Sequence, residues 1–469
     1  MSAEIIAKIE ELKKAWELGS YNVQPTALSQ GPATNKEDLS KVMHNVTFGE
    51  KDVKLQKELK VEKTKSQLVQ FVRQLSHGTF GGTAMAEGLV GQEDTPDVIR
   101  AAVPMAYYSM MARHTDAAEM ADTFDGVSAS DRLAASAALK VAGDVEFDVF
   151  RGKADFSNGG VFDGNPGSIP DRMANLLGLD VQIRQSDYSI DTQDLMFEAF
   201  GSSLSNVIAG GGTLTQSMIE DTWIRGVMNF SKADRAFTDP LVLSNYSKQT
   251  YLDKIRFNLG AAAQEPTTGV DIRKQAVSGG VVTLETSRFL SGQTKPKRPR
   301  NNAPSAPTIS SVTVAASSTG FLATQVYTYY VTGENELGES LPSAASTGTI
   351  VNNGDKVTLA LAAGGSGTTR WFNVFRSPAG GSVASCKLIG RVKSVGGASF
   401  VDLGNMLPGA SNLYLVDPES MGLHELAPFF RAPLAKTDLT SVTAFARFVT
   451  LAVYQPRKNV LCSNLTGAL

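Results

Sequence analysis

The C-terminal stretch constrains this chain most, because it reads as a strand that has to return to a body whose other pieces lie far upstream. Val449, Leu451 and Val453 alternate with Thr450, Ala452 and Tyr454, and Pro456-Arg457-Lys458-Asn459 breaks the run before Val460-Leu461-Cys462. The pattern predicts a closing hairpin packed on one face. Residues 303–411 differ in composition from everything around them. The expectation is therefore one body interrupted by a guest domain.

The chain has 469 residues, enough for roughly two to four domains at about 100 to 200 residues each. Hydrophobic residues make up 42% and charged residues 19%, a globular balance, and a net charge of −3 makes no case for nucleic acid or an anionic membrane as the main partner. The only cysteines are Cys386 and Cys462. A disulfide framework is not part of such a design, and synthesis inside a cell is expected. Near the N-terminus Ile5, Ile9, Leu12 and Trp16 recur at helical spacing among Glu and Lys. Those acidic residues exclude a signal peptide, and the sequence has no run of about 18 apolar residues. The chain is expected neither to leave by that route nor to span a membrane.

Residues 19–68 are polar and Lys/Glu-rich, which predicts an extended arm ordered by neighbours if at all. Residues 66–91 are studded with glycine. Residues 98–120 are apolar but contain Pro104, which argues against a continuous helix and predicts strands in a protruding or edge position. The clearest helix spans 128–151, with a stripe of Ala134, Ala138, Val141, Val145 and Val149 and with Arg132, Lys140, Asp144 and Asp148 off it. It is expected to lie across a sheet. Two further helices are predicted. One covers 191–208 and is stopped by Gly210-Gly211-Gly212; the other covers 217–230 and opens with a Ser217/Glu220 capping box. Short strands are expected at 241–246 and 281–289. Without a regular βαβ beat, the fold class is α+β.

The segment 294–307, rich in Pro, Lys and Arg, marks a boundary. Beyond it, short strands are predicted at 308–314, 324–332, 356–361, 370–376, 387–392 and 399–402, the even spacing of a β-sandwich. The run Tyr327-Thr328-Tyr329-Tyr330-Val331-Thr332-Gly333 and the strand from Trp371 to Arg376 resemble a fibronectin type III or immunoglobulin-like domain, a likeness that specifies no ligand.

The residues of an enzyme site are not evident. His44, His77, His114 and His424 stand outside every HExxH, HxH or CxxC context. The glycine runs at 78–82 and 210–212 lack both the P-loop lysine and the dinucleotide spacing, and read as turn and cap glycines. Asp163, Asp171, Asp180, Asp187, Asp191 and Asp194 lack EF-hand spacing and read as turn residues. Lys295, Lys297, Arg298 and Arg300 read as a solvated spacer. No catalytic, cofactor-binding or metal residue is assigned, no cofactor is expected, and the chain is not expected to be an enzyme.

Three segments carry a resemblance to a family: VIRAAVPMAYYSMMARHTDAAEMA at 98–121, LKVAGDVEFDVFRGK at 139–153, and the run from Glu425 to Leu465. Together they resemble the major capsid proteins of tailed double-stranded DNA phages, with the Hong Kong 97-type shell fold. The resemblance implies an N-terminal helix and arm (1–68) and an extended-loop region (69–127, the loop itself at about 84–123). It also implies a spine helix (128–152), a peripheral and axial body (153–302) and a C-terminal return (412–469). The inserted immunoglobulin or fibronectin-like domain (303–411) would point outward. Covalent crosslinking through a loop lysine is not expected, since residues 84–132 contain none.

The implied function is a capsid protein that self-assembles, as hexamers and pentamers, into an icosahedral head around packaged DNA. Its implied partners are scaffold, portal and decoration proteins, the nearby genome, and a host-surface glycan through the inserted domain, with no membrane. Assembly in the host cytoplasm and residence in the virion shell follow. The alternative is a tail, baseplate or adhesin-like binding protein using the fibronectin-like module.

Overall fold

The computed structural model describes residues 49–74, 98–120, 128–151, 176–185, 206–253, 273–291 and, with short breaks, 303–466, together with positions 87, 95 and 96. In chain order it opens with α1 (Leu55–Glu58), β1 (Lys60–Lys63), β2 (Leu68–Gln74), β3 (Val98–Pro104), β4 (Ala106–Thr115) and α2 (Asp116–Met120). There follow α3 (Ala129–Arg151), α4 (Leu179–Gln185), β5 (Val207–Gly212), α5 (Gln216–Met228), β6 (Arg235–Thr238), α6 (Pro240–Asp253), β7 (Lys274–Val277) and β8 (Gly280–Thr286). Eight strands form the guest region: β9 (Thr308–Ala315), β10 (Val326–Asn335), β11 (Gly338–Glu339), β12 (Ser346–Thr349), β13 (Lys356–Ala362), β14 (Trp371–Arg376), β15 (Lys387–Lys393) and β16 (Ser399–Asp402). The chain closes with β17 (Ser411–Val416), β18 (Met421–Pro433), β19 (Thr440–Val453) and β20 (Val460–Leu465). Helices and strands mix without a βαβ beat, as the α+β expectation has it.

Two sheets make the body. One is four-stranded, in the order β1-β18-β19-β4, and the other six-stranded, in the order β5-β20-β17-β6-β8-β7. The 23 residues of α3 make a rod of about 35 Å at 1.5 Å per residue. Its first half lies along the far part of the first sheet, where Leu133, Ala134 and Ala137 meet Ala112 and Phe445. Its second half enters the main core, where Val141, Val145, Val149 and Phe150 pack with Phe237 and Tyr414 of one sheet and Leu423, Val449 and Leu451 of the other. One helix thus fixes both sheets. A second core, on the opposite face of the six-stranded sheet, lies under α5 and α6 and includes Ile219, Val242, Tyr246, Leu415 and Val460.

Residues 449–453 and 460–465 do not form a hairpin. β19 pairs with β18 and β4, whereas β20 pairs with β17 and β5 in the other sheet. The turn at Pro456–Lys458 therefore carries the chain from one sheet to the next. All of residues 449–453 and 460–465 are buried, so neither strand has the single packed face that alternation suggested. Both are covered on two sides, and Thr450 and Ala452 sit inward as well.

Other expectations change for local reasons. The strand expected at 241–246 is part of α6, because Asp239 accepts a hydrogen bond from Leu241 N at 3.0 Å and Pro240 takes the first helical position. Helix α5 is capped by Thr215, whose hydroxyl accepts from Met218 N, and not by a Ser217/Glu220 box. Of the helix expected at 191–208, residues 191–205 lie outside the described residues and Val207 begins strand β5, which contains the glycines expected to stop that helix. Asp148, placed off the buried stripe of α3, is buried and accepts from Tyr108 Oη at 2.7 Å. The apolar stretch 98–120 forms strands β3 and β4 as far as Thr115, with Pro104 ending the first, but its last five residues form helix α2.

The guest region forms two antiparallel sheets. One, β16-β13-β9, faces the other, β11-β10-β14-β15 with β12 also on β10, around a core of Tyr329, Val331, Val357, Leu359, Phe372 and Val374. A buried ion pair closes one end. Arg376 Nη1 lies 2.7 and 2.6 Å from the two Asp402 oxygens, and both residues are 3% exposed. Tyr329 Oη donates to the same carboxylate at 2.9 Å, and the guanidinium lies 5.0 Å from the Phe321 ring centroid.

Candidate functional site

Among the described residues no group of three or more His, Cys, Asp and Glu is placed to hold a metal. His114 lies 3.7 Å from Glu119 and His424 bonds Tyr454. Of the six aspartates, only Asp180 is among the described residues, in α4. His44, His77, the glycine run at 78–82 and the basic run at 295–300 lie outside them. What the structure does bring together is a set of contacts joining the arm, the long helix and the long strands.

The centre of that set is Glu146 on α3, which is fully buried. Its Oε1 accepts from Lys54 N at 3.2 Å and Leu55 N at 2.8 Å, and its Oε2 accepts from Gln56 N at 3.1 Å. These are the amides at the start of α1, which a helix cannot satisfy internally. Burial pushes the Glu146 carboxyl above its ordinary range, opposed by the hydrogen bonds from Leu55, Gln56 and Lys54. Gln56 extends the network, since its Nε2 donates to Ala142 O at 2.9 Å and its Oε1 accepts from Arg447 Nη1 at 2.8 Å. Arg447 Nε in turn donates to Glu425 Oε1 at 2.9 Å. Residues 49–63, expected to depend on neighbours for order, are therefore held by their own chain. Alternation and charge give no sign of this, because a Glu two residues from Asp144 and two from Asp148 on a helix looks like solvent-facing surface.

The arm then adds β1 in parallel to β18, with Glu62 opposite His424. His424 Nε2 lies 2.8 Å from Tyr454 Oη, and Tyr454 meets Phe71 of β2 edge to face at 5.2 Å. Burial holds the His424 pKa below its usual 6.5, with Glu62 pulling the other way. The folded chain thus binds this proton less tightly than the unfolded chain. Stability from this group is present above about pH 6.5 and is lost as pH falls through the lower folded value. His424→Gln is expected to flatten that part of a plot of unfolding free energy against pH. An unchanged slope between pH 7 and 5 would remove His424 as its source.

β1 covers β18 only from Gly422 to Glu425. Beyond it β18, β19 and β4 run on as a three-stranded ribbon with a partly covered aromatic seam: Phe430 on Phe448, Tyr107 on Phe448, and Phe429 stacked on Phe445. The face turned away from α3 carries Ala444, Ala446 and Ala432 together with exposed Ser109 and Arg113, and Met111 there is 70% exposed. Leu434 and Leu439 near the end of the ribbon are also exposed, Leu439 at 80%. A second ribbon, β2 with β3, exposes Val72 and Val98. One-sided antiparallel sheets normally turn polar residues outward. These ribbons mix the two, with Ser109 and Arg113 beside Met111 on one and Gln70, Gln74 and Arg100 beside Val72 and Val98 on the other.

No protein-family model matches the sequence, and no curated protein matches it. Among solved structures the chain is similar to the capsid of a native GTA particle, with a TM-score of 0.47, 9% identity, and coverage of 95% of this chain and 100% of that one. It is also similar to the capsid of Myoviridae phage XM1, with a TM-score of 0.41, 10% identity, and coverage of 92% and 97%. A third is the SrpI encapsulin of Synechococcus elongatus PCC 7942, with a TM-score of 0.38, 6% identity, and coverage of 91% and 93%.

Proposed function

We propose that this chain is the subunit of a self-assembling icosahedral shell, the major capsid protein of a tailed phage head that encloses packaged DNA. The observation that carries the reading is the pair of ribbons. Beside residues packed within the subunit, such as Ala112 and Phe445, they expose Met111, Leu434, Leu439, Val72 and Val98. A two-stranded ribbon is marginal by itself, so such elements need surfaces supplied by neighbours. A shell gives each copy several identical neighbours, and large interfaces stabilise projecting parts. The net charge of −3 suits close packing of many copies.

In this reading α3 is the spine, the four-stranded sheet the peripheral domain and the six-stranded sheet the axial domain. The sandwich of the guest region is an immunoglobulin or fibronectin-like domain displayed outward, where a host-surface glycan is its proposed ligand class. Scaffold, portal and decoration proteins are its proposed further partners.

The test is negative-stain electron microscopy with light scattering on the recombinant chain, alone and with its neighbouring virion proteins. Closed shells, hexamers or pentamers are expected. A monomer or trimer that never closes would sink the proposal and move the assignment to a tail or adhesin-like binding protein.

A further inference from the structure

The chain leaves the guest sandwich through residues 406–411, and these are bonded almost one after another. Arg376 Nη2 donates to Met406 O, which ties the start of the segment to the ion pair inside the sandwich. Ala410 N donates to Leu407 O at 3.0 Å across Pro408-Gly409, with φ of 71° at Gly409, the arrangement a Pro-Gly β-turn requires. Gly409 N donates to Leu388 O of β15 at 3.4 Å. Ser411, fully buried, donates through Oγ to Leu290 O at 2.6 Å. A stretch with a set turn and these partners is not a free linker.

One further bond joins this turn to the body. Asn464 Oδ1, in β20, accepts from Leu407 N at 2.8 Å. Two irregularities of the strand put it there. Opposite Asn412 of β17, β20 carries two residues, Ser463 and Asn464, a bulge between the pairs Ser411–Leu465 and Leu413–Cys462. Asn464 is also left-handed, with φ of 63°, and is buried. Glycine would meet that backbone demand with less strain, but it has no side-chain carbonyl to offer Leu407. A bulge re-aims a side chain, and here it aims an acceptor at the foot of the guest region.

We infer that residues 406–411 and Asn464 form a lock that holds the guest sandwich at one orientation to the six-stranded sheet. The sandwich is carried as a fixed projection, not as a domain swinging on a tether. The lock is held from two sides, by Arg376 and Leu388 of the sandwich and by Asn464 and Leu290 of the body. It is made within one chain, so it stands independently of the shell reading. A surface mounted this way meets its partner at a set angle, and binding there costs no loss of interdomain freedom. Because β20 supplies Asn464, the lock closes only when that strand has joined its sheet.

Paired spin labels on the full chain test this, one at Thr313→Cys on β9 and one at Lys248→Cys on α6, both exposed positions. The native cysteines, Cys386 and Cys462, are buried from the label. Labelled chains are diluted into unlabelled copies, so that only distances within a subunit are read. A single narrow distance distribution is expected. Asn464→Gly keeps the left-handed backbone and removes the acceptor, and a chain with Gly-Ser-Gly-Ser inserted after Gly409 gives the width of an unlocked sandwich. Asn464→Gly should broaden the distribution about twofold or more toward that width, with the unfolding midpoint of the body level. Asn464→Asp, which keeps an oxygen at that place, should stay near the parent width. A parent as broad as the insertion chain would overturn the inference, and so would Asn464→Gly as narrow as the parent. Broadening that comes only with a lowered midpoint of the body would overturn it too, since Asn464 would then serve the sheet alone.

Discussion

Arg376→Ala is expected to unfold the guest sandwich while leaving the two sheets of the body folded. The substitution strands Asp402, which is 3% exposed, without its counter-ion and leaves the buried carboxylate to the hydrogen bond from Tyr329 Oη. Breaking a buried pair from one side costs about 3–5 kcal/mol, a large part of the roughly 5–15 kcal/mol that holds a domain of this size together. At about 4–8 °C per kcal/mol, the melting transition of the sandwich should fall by roughly 15–30 °C. Replacing both partners, as in Arg376→Met/Asp402→Leu, should recover much of that loss, because no buried charge is left uncompensated. Calorimetry of the full chain resolves the effect, and a shift of only a degree or two for Arg376→Ala would show that the pair is peripheral to the sandwich.

Glu146→Ala is expected to release the arm. It removes the acceptor for three backbone N–H groups, at Lys54, Leu55 and Gln56, and empties a fully buried position on α3. A buried donor left unsatisfied costs about 1–3 kcal/mol, so the loss of local stability is expected to exceed that of an ordinary surface change several-fold. Hydrogen exchange over residues 54–63 should accelerate by at least a hundredfold, with that of β17 and β20 little changed. Glu146→Gln, which keeps one acceptor oxygen, should fall between the two. Equal exchange in wild type and Glu146→Ala would mean that β1 pairing alone holds the arm. The raised pKa of Glu146 gives the opposite pH sign to His424: a carboxyl that holds its proton more tightly when folded contributes stability below about pH 4.5, lost as pH rises through the folded value.

Much of this architecture is legible in the residues, and the failures share a cause. The long helix is plain because Val141, Val145 and Val149 mark a period that only a helix satisfies, and the sandwich because its strands recur between turn residues. Alternation around Val449 identifies a strand but says nothing about its partner, so a turn between two sheets passed for a hairpin. Asp239-Pro240 is a helix start, yet the β-branched and aromatic residues after it, Val242 and Tyr246, outweighed that signal when read as strand. Buried acids are the hardest case. Glu146 and Asp148 are charged residues whose partners, Leu55 N and Tyr108 Oη, stand about ninety and forty positions away in sequence, and no local pattern announces such a pairing.

The transfer of the chain between sheets at Pro456 also governs when the subunit becomes whole. β19 is flanked by β18 and by β4 from residues 106–115, and β20 by β17 and by β5 from residues 207–212. Every strand that these two pair with is synthesised before them. The four-stranded sheet therefore lacks a strand until residue 453 has been made, and the six-stranded sheet until residue 465 has. Pairings across such long sequence separations form slowly, which delays the finished subunit further. A chain interrupted before residue 440 lacks an interior strand of both sheets. Folding of the whole body thereby waits on strands made more than two hundred residues after the first of their partners.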